Sequence, residues 1–158
     1  MTHDFQELAE RGIKRMLLVG VVGPLLIFLL IYILRSAGVM PARDRSDTLV
    51  ADPIFLALLV VGVGEIVTGF VLRKAMFAPA KLRPLLEDPD AFAMHILASA
   101  TLIGILGASE MLYGIVTFVI GLPTPNVAVF ALLMLACFRL LRPSARFLQR
   151  SVEAAESA

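Results

Sequence analysis

Two glutamates carry the chemistry that this sequence offers. Glu65 is the single charge in the run Pro53–Leu72, and Glu110 is the only acidic or basic side chain between Ala91 and Phe138 apart from the titratable His95. A carboxylate in the middle of a hydrocarbon layer costs about 2.5–3.5 kcal/mol on insertion scales. At 1.5 Å per residue, Glu65 lies about 12 Å below Arg73 and Glu110 about 15 Å from Ile120, so both belong at mid-depth of their helices. A carboxyl in such surroundings carries a proton or meets a small cation. Donors stand close by in the chain: Thr68 one turn beyond Glu65, Tyr113 one turn beyond Glu110, and Ser109 adjacent to it.

The spacing around the two glutamates repeats. Gly62-x-x-Glu65-x-x-x-Gly69 and Gly107-x-x-Glu110-x-x-x-Gly114 both place the acid on the helix face that carries two glycines. Small residues allow close backbone approach between helices in lipid, so these four glycines are the expected packing positions. The second helix of the pair extends the face as Ala100, Gly107, Gly114 and Gly121. Each glutamate is therefore expected at a tight helix–helix contact rather than facing open lipid.

The elements that must position them follow from composition and hydropathy. The chain has 158 residues, 59% hydrophobic and 17% charged, with a mean hydropathy of +0.89. An ordinary soluble domain is roughly 45–50% apolar and about 25% charged. The expected fold is all-α and polytopic, with four transmembrane helices at about 16–35, 53–73, 92–120 and 125–142 forming one domain over 1–158. The first run, Met16–Leu34, is too long for a secretory signal and no small-residue cleavage site follows it, so it is expected to be retained. Gly121-Leu122-Pro123-Thr124-Pro125-Asn126 breaks the long apolar stretch into the last two spans. A loop at about 74–91, with three prolines and an acidic cluster, is expected to hold at most a helical turn and no core of its own. The ends, 1–15 and 143–158, carry apolar residues at helical spacing (Phe5, Leu8, Ile13; Phe147, Leu148, Val152). They either lie on the membrane surface as amphipathic helices or fray as polar tails.

Charge sets the orientation. The N-terminal end, the 74–91 side and the C-terminal tail together carry eleven basic residues, against Arg35, Arg43 and Arg45 on the other side. The positive-inside rule then puts both termini in the cytoplasm, and a bacterial cytoplasmic (inner) membrane is the expected location.

Other chemistry has little to stand on. The net charge of +1 names no partner, and no nucleic acid is expected. One cysteine, Cys137, makes no disulfide and no zinc cluster; it reads as a small buried hydrophobe. His95 is the sole histidine in a span and reads as an interfacial residue. No phosphate loop, nucleophile elbow, His-Glu-x-x-His or Cys-x-x-Cys is present. No catalytic activity of its own, no metal and no cofactor is expected beyond H⁺ or Na⁺ and bound lipid.

The centre of the chain resembles a known family. Ile103-Gly104-Ile105, Glu110 and Tyr113-Gly114-Ile115-Val116, with Asp88-Pro89-Asp90 ahead of them, are similar to the second helix of the proteolipid (c) subunits of rotary ATPases. The resemblance covers about Pro53–Ile120, under half the chain; one helix precedes that hairpin and another follows it. It implies that Glu110 is the ion carrier and Glu65 its companion on the neighbouring helix. The chain as a whole looks like a small four-helix bacterial membrane protein.

Two functions are expected from these residues. One is a small integral membrane subunit, a homo-oligomer or part of a larger complex in the lipid bilayer, that binds or relays protons or Na⁺ through Glu110, Glu65, Tyr113, Thr68 and Ser109. The other is a structural or accessory subunit whose buried glutamates only lock helix packing.

Overall fold

A computed structural model describes residues 5–39, 52–122 and 124–157. Among them every regular element is helical. α1 (Phe5–Leu17) continues through a π-helical turn (Leu18–Val22) into α2 (Gly23–Ser36). Then follow α3 (Pro53–Met76), α4 (Pro79–Leu85), α5 (Pro89–Val119), α6 (Thr124–Leu141) and α7 (Ala145–Glu156).

Local chemistry fixes most of the boundaries. The Asp52 carboxylate accepts from the backbone N–H of Ile54 at 2.8 Å and of Phe55 at 3.3 Å, with Pro53 at the first helical position. Asp88 does the same for Asp90 (2.9 Å) and Ala91 (3.2 Å) ahead of α5. These are N-caps followed by proline, the residue whose missing N–H is no loss there. The cap explains why α5 begins at Pro89 rather than at the expected 92: the carboxylate starts the helix before the apolar run does. Gly121, at φ 87°, closes α5 in the left-handed conformation, and Leu122 N–H returns to the Thr117 carbonyl at 3.0 Å. The π turn just precedes Gly23-Pro24. Pro24 has no N–H to continue the ladder and its ring crowds the turn before it, and a widened turn relieves both problems.

α5 is the hub, packed by α1, the π turn, α2, α3, α4 and α6. α6 runs antiparallel along it, with Gly114 against Val127 and Phe130 and Gly107 against the Phe138 ring. α3 lies on both α5 and α6. The N-terminal helix crosses α5 where backbones nearly touch; a Cβ on Gly104 would stand 2.9 Å from the Met16 carbonyl oxygen.

At one end of the bundle, α1, α4 and α7 close together around Ala9, Phe77, Leu82, Phe92, Ile96, Leu148, Val152 and Ala155. Of the two expectations for the end segments, the structure has the amphipathic helices rather than frayed tails. Both are ordered helices whose apolar stripes are buried against protein. The 74–91 connection likewise does more than expected: it contains α4, and its Leu82 is completely buried in that cluster. His95 joins α5 to the end of α3, with Nε2 3.0 Å from the Met76 carbonyl and its ring edge-on to Phe77.

Two arginines tie helix ends across the bundle. Arg35 of α2 donates to the Phe118 carbonyl at 2.9 Å and lies 4.5 Å over the Phe118 ring. Arg73 of α3 donates to the Leu140 carbonyl at 2.7 Å and lies 3.7 Å over the Phe147 ring. Each satisfies a last-turn carbonyl of another helix, where a cation is favoured by the helix dipole.

The outside of the bundle is apolar. Val60 is 72% exposed, Leu132 64% and Leu26 62%, and in α2 only Pro24 is buried. Three helical stretches, Phe5–Ser36, Pro53–Met76 and Pro89–Val119, are long and apolar enough to cross a membrane. α6 and α7 make a fourth only as a broken pair, bent by 43° around Pro143.

Candidate functional site

The two glutamates meet between α3 and α5 of a single chain. Glu65 and Gly62 stand one turn apart on α3; Ser109, Glu110 and Tyr113 stand within one turn of α5. Ser109 and Tyr113 are four residues apart and share a face. That face meets Glu65. The Tyr113 hydroxyl donates to Glu65 Oε1 at 2.5 Å, and the Ser109 hydroxyl is hydrogen-bonded to Glu65 Oε2. Ser109 Oγ also lies 2.7 Å from the Leu106 carbonyl, one turn back on its own helix. Glu65 is half-buried, at the edge of the bundle.

Glu110 points about 100° further round α5, into the interior. It is 0% exposed, and neither carboxyl oxygen has a hydrogen-bond partner. Its carboxyl lies against the bare Cα of Gly62; a Cβ there would stand 3.1 Å from Glu110 Cδ and closer still to Oε2. Gly62 is thus the cavity in α3 that admits the acid. The titratable groups that face the pair are Tyr113 from α5 and Cys137 from α6. Among the described residues neither glutamate is ion-paired with Lys, Arg or His, and no group of three or more His, Cys, Asp or Glu side chains gathers as a metal site.

Of the residues named from the sequence, the structure brings together Glu65, Glu110, Ser109, Tyr113 and Gly62. Thr68 stands apart: it is exposed and its hydroxyl donates to the Gly64 carbonyl at 2.8 Å. Gly69 admits Leu141 and Leu106, Gly107 admits the Phe138 ring and Gly114 admits Phe130 and Val127. These are packing contacts flanking the site. Cys137 was read from the sequence only as a small buried hydrophobe, and at 1% exposure it is one; the Leu106 carbonyl was not singled out. Nor was Asn126, which is 1% exposed with Nδ2 unpartnered near the start of α6. An amide inside an otherwise apolar run was the signal available for it.

The arrangement supplies one acid that is bonded and within reach of the bundle surface beside one acid that is sealed and unbonded. Two such groups can hold and exchange a small cation; no nucleophile or cofactor ligand accompanies them among the described residues. No protein-family model matches the chain, and comparison with curated proteins and with solved structures found no match.

Proposed function

We propose that this chain is an integral membrane subunit whose intramembrane pair, Glu65 and Glu110, binds and exchanges H⁺ or Na⁺. The observation that carries the reading is Glu110: a fully buried carboxyl with neither oxygen bonded. A carboxyl kept only to hold helices together would spend its oxygens on bonds between them. An unbonded one costs about 1–3 kcal/mol, a cost that selection retains for chemistry more readily than for packing.

The membrane setting is supported by the exposed apolar girdle and by three long apolar helices. Soluble monomers rarely expose contiguous apolar patches of more than a few hundred Å². α1, α4 and α7, which carry many of the basic residues, sit together at one end, while Arg35 sits with Phe118 at the other. That distribution supports both termini being cytoplasmic. Four helices around a filled core leave little room for an aqueous path, so the unit is expected to work as a homo-oligomer or within a larger membrane complex. The resemblance to proteolipid subunits would make Glu110 the ion carrier.

A structural role has one observation of its own: the Ser109 and Tyr113 bonds to Glu65 fasten α3 to α5. Carbodiimide labelling of the purified protein, read by mass spectrometry across pH, separates the two. Modification of Glu65 or Glu110 that depends on pH supports ion exchange. Absence of label in folded protein at every pH leaves only the packing role.

A further inference from the structure

The outer face of the N-terminal helix carries a groove that the glutamate pair does not use. Leu17, Leu18, Val21 and Val22 line it, Lys14 stands at its head, and its volume is about 390 Å³. Sites for small ligands run from about 300 to 1,000 Å³. We propose that this groove holds one acyl chain of an anionic phospholipid of the cytoplasmic leaflet, with the lipid phosphate on the Lys14 ammonium. The proposal rests on the membrane setting above and not on ion exchange at the glutamates.

The five lining residues recur at i, i+3, i+4, i+7 and i+8, which is one face of a helix. The buried stripe of the same helix, Ala9, Gly12, Met16 and Gly20, lies on the other side. Leu17, Leu18 and Val22 are exposed accordingly. Three of the five, Leu18, Val21 and Val22, belong to the π turn. Single π turns inside α-helices are rare and fall frequently at functional positions; here the widened turn falls where the groove lies.

Depth and charge choose the occupant. Lys14 and Arg15 are the last charges before the apolar run Met16–Leu34, so the head of the groove stands at headgroup level. From Lys14 to Val22 is about 12 Å along the axis at 1.5 Å per residue. One leaflet of the hydrocarbon core is about 15 Å deep. The groove therefore ends short of the midplane, which suits one lipid tail; a helix of a second copy would follow the face across both leaflets. Glu7 engages Arg11, whereas Lys14 and Arg15 have no acidic partner among the described residues. The carbon stem of Lys14 can lie on the apolar wall while its ammonium reaches a phosphate. A free phosphate would leave the groove empty, and a lipid without net charge would leave the cations uncompensated.

Native mass spectrometry of the full chain, titrated in detergent with dioleoyl phosphatidylglycerol or dioleoyl phosphatidylcholine, tests this. The chain is expected to retain one phosphatidylglycerol about fivefold or more strongly than phosphatidylcholine. Lys14 and Val22 are both exposed, so substitutions there leave the core intact. Lys14→Gln is expected to weaken phosphatidylglycerol about fivefold, the contribution of one basic residue at an anionic lipid surface, and to leave phosphatidylcholine unchanged. Val22→Trp fills the groove but keeps Lys14, and is expected to weaken both lipids. Glycerol phosphate, a headgroup without chains, is expected to displace neither. Equal retention of the two lipids, or phosphatidylglycerol retention untouched by both substitutions, overturns the site. Displacement by glycerol phosphate overturns the lipid in favour of a soluble phosphate, and a dimer that Val22→Trp abolishes overturns it in favour of a second copy. A chain recovered from cells without detergent removes the membrane setting itself; a chain that needs detergent but retains no lipid removes this site alone.

Discussion

Replacing Glu110 by methionine is expected to stabilise the protein. The side chain is completely buried, and both its oxygens lack a partner. Removing a buried polar group that bonds to nothing recovers its desolvation penalty, about 1–3 kcal/mol. Methionine is unbranched and flexible, so it can follow the path of the glutamate into the space over Gly62 Cα at little cost in strain. For a chain of this size each kcal/mol moves the midpoint by roughly 2–4 °C, so a rise of about 2–12 °C is expected in thermal unfolding followed by circular dichroism in detergent. Glu65→Met supplies the contrast. It strips the Tyr113 hydroxyl of its acceptor and leaves Ser109 only Leu106, and is expected to lower stability by about 1–3 kcal/mol. Destabilisation by Glu110→Met as large as that by Glu65→Met would refute the reasoning, because it would mean that Glu110 is bonded in the working protein.

Three further outcomes are expected. Gly107→Ala drives a Cβ into the Phe138 ring, which Gly20 confines from the other side, at a cost of about 1–3 kcal/mol; Gly64→Ala meets nothing within 4 Å and gains up to about 1 kcal/mol. Equal midpoints for the two alanine variants in thermal unfolding would contradict that packing. Arg73→Gln loses the bond to the Leu140 carbonyl and the stack on Phe147, worth about 1–2 kcal/mol together. It should speed amide hydrogen exchange in α7 several-fold while leaving α2 unchanged. Single cysteines placed at Lys81 and Ser157 in a Cys137→Ala background should resist a membrane-impermeant maleimide added to intact cells and react after lysis; labelling of either in intact cells defeats the orientation.

What the sequence reveals here is set by the cost of the residues. A lone glutamate in an apolar helix is conspicuous because it is expensive, and a glycine beside it because it costs helix propensity. Glu65, Glu110 and the four glycines were legible for that reason. Thr68 was misplaced for an equally physical one: a threonine hydroxyl in a helix has a carbonyl one turn back always within reach, here that of Gly64. The contact of the Glu110 carboxyl with Gly62 could not be read because it depends on which face of α3 meets α5. The apolar stripes of the two ends, Leu148 and Val152 among them, were legible; that they close on Leu82 of α4 was not, because that contact depends on how three separate segments fold together. The π turn escaped because Pro24 alone does not say whether a helix kinks or widens.

That end cluster has a consequence for how the molecule is made. Leu148, Val152 and Ala155 belong to α7, which leaves the ribosome after every other described helix, yet they complete a core begun by Ala9 of α1 and Leu82 of α4. Until α7 arrives, the apolar stripes of α1 and α4 have water or a chaperone for company. Closing that end therefore waits for α7, and a chain cut short before Leu148 would leave the apolar stripes of α1 and α4 uncovered.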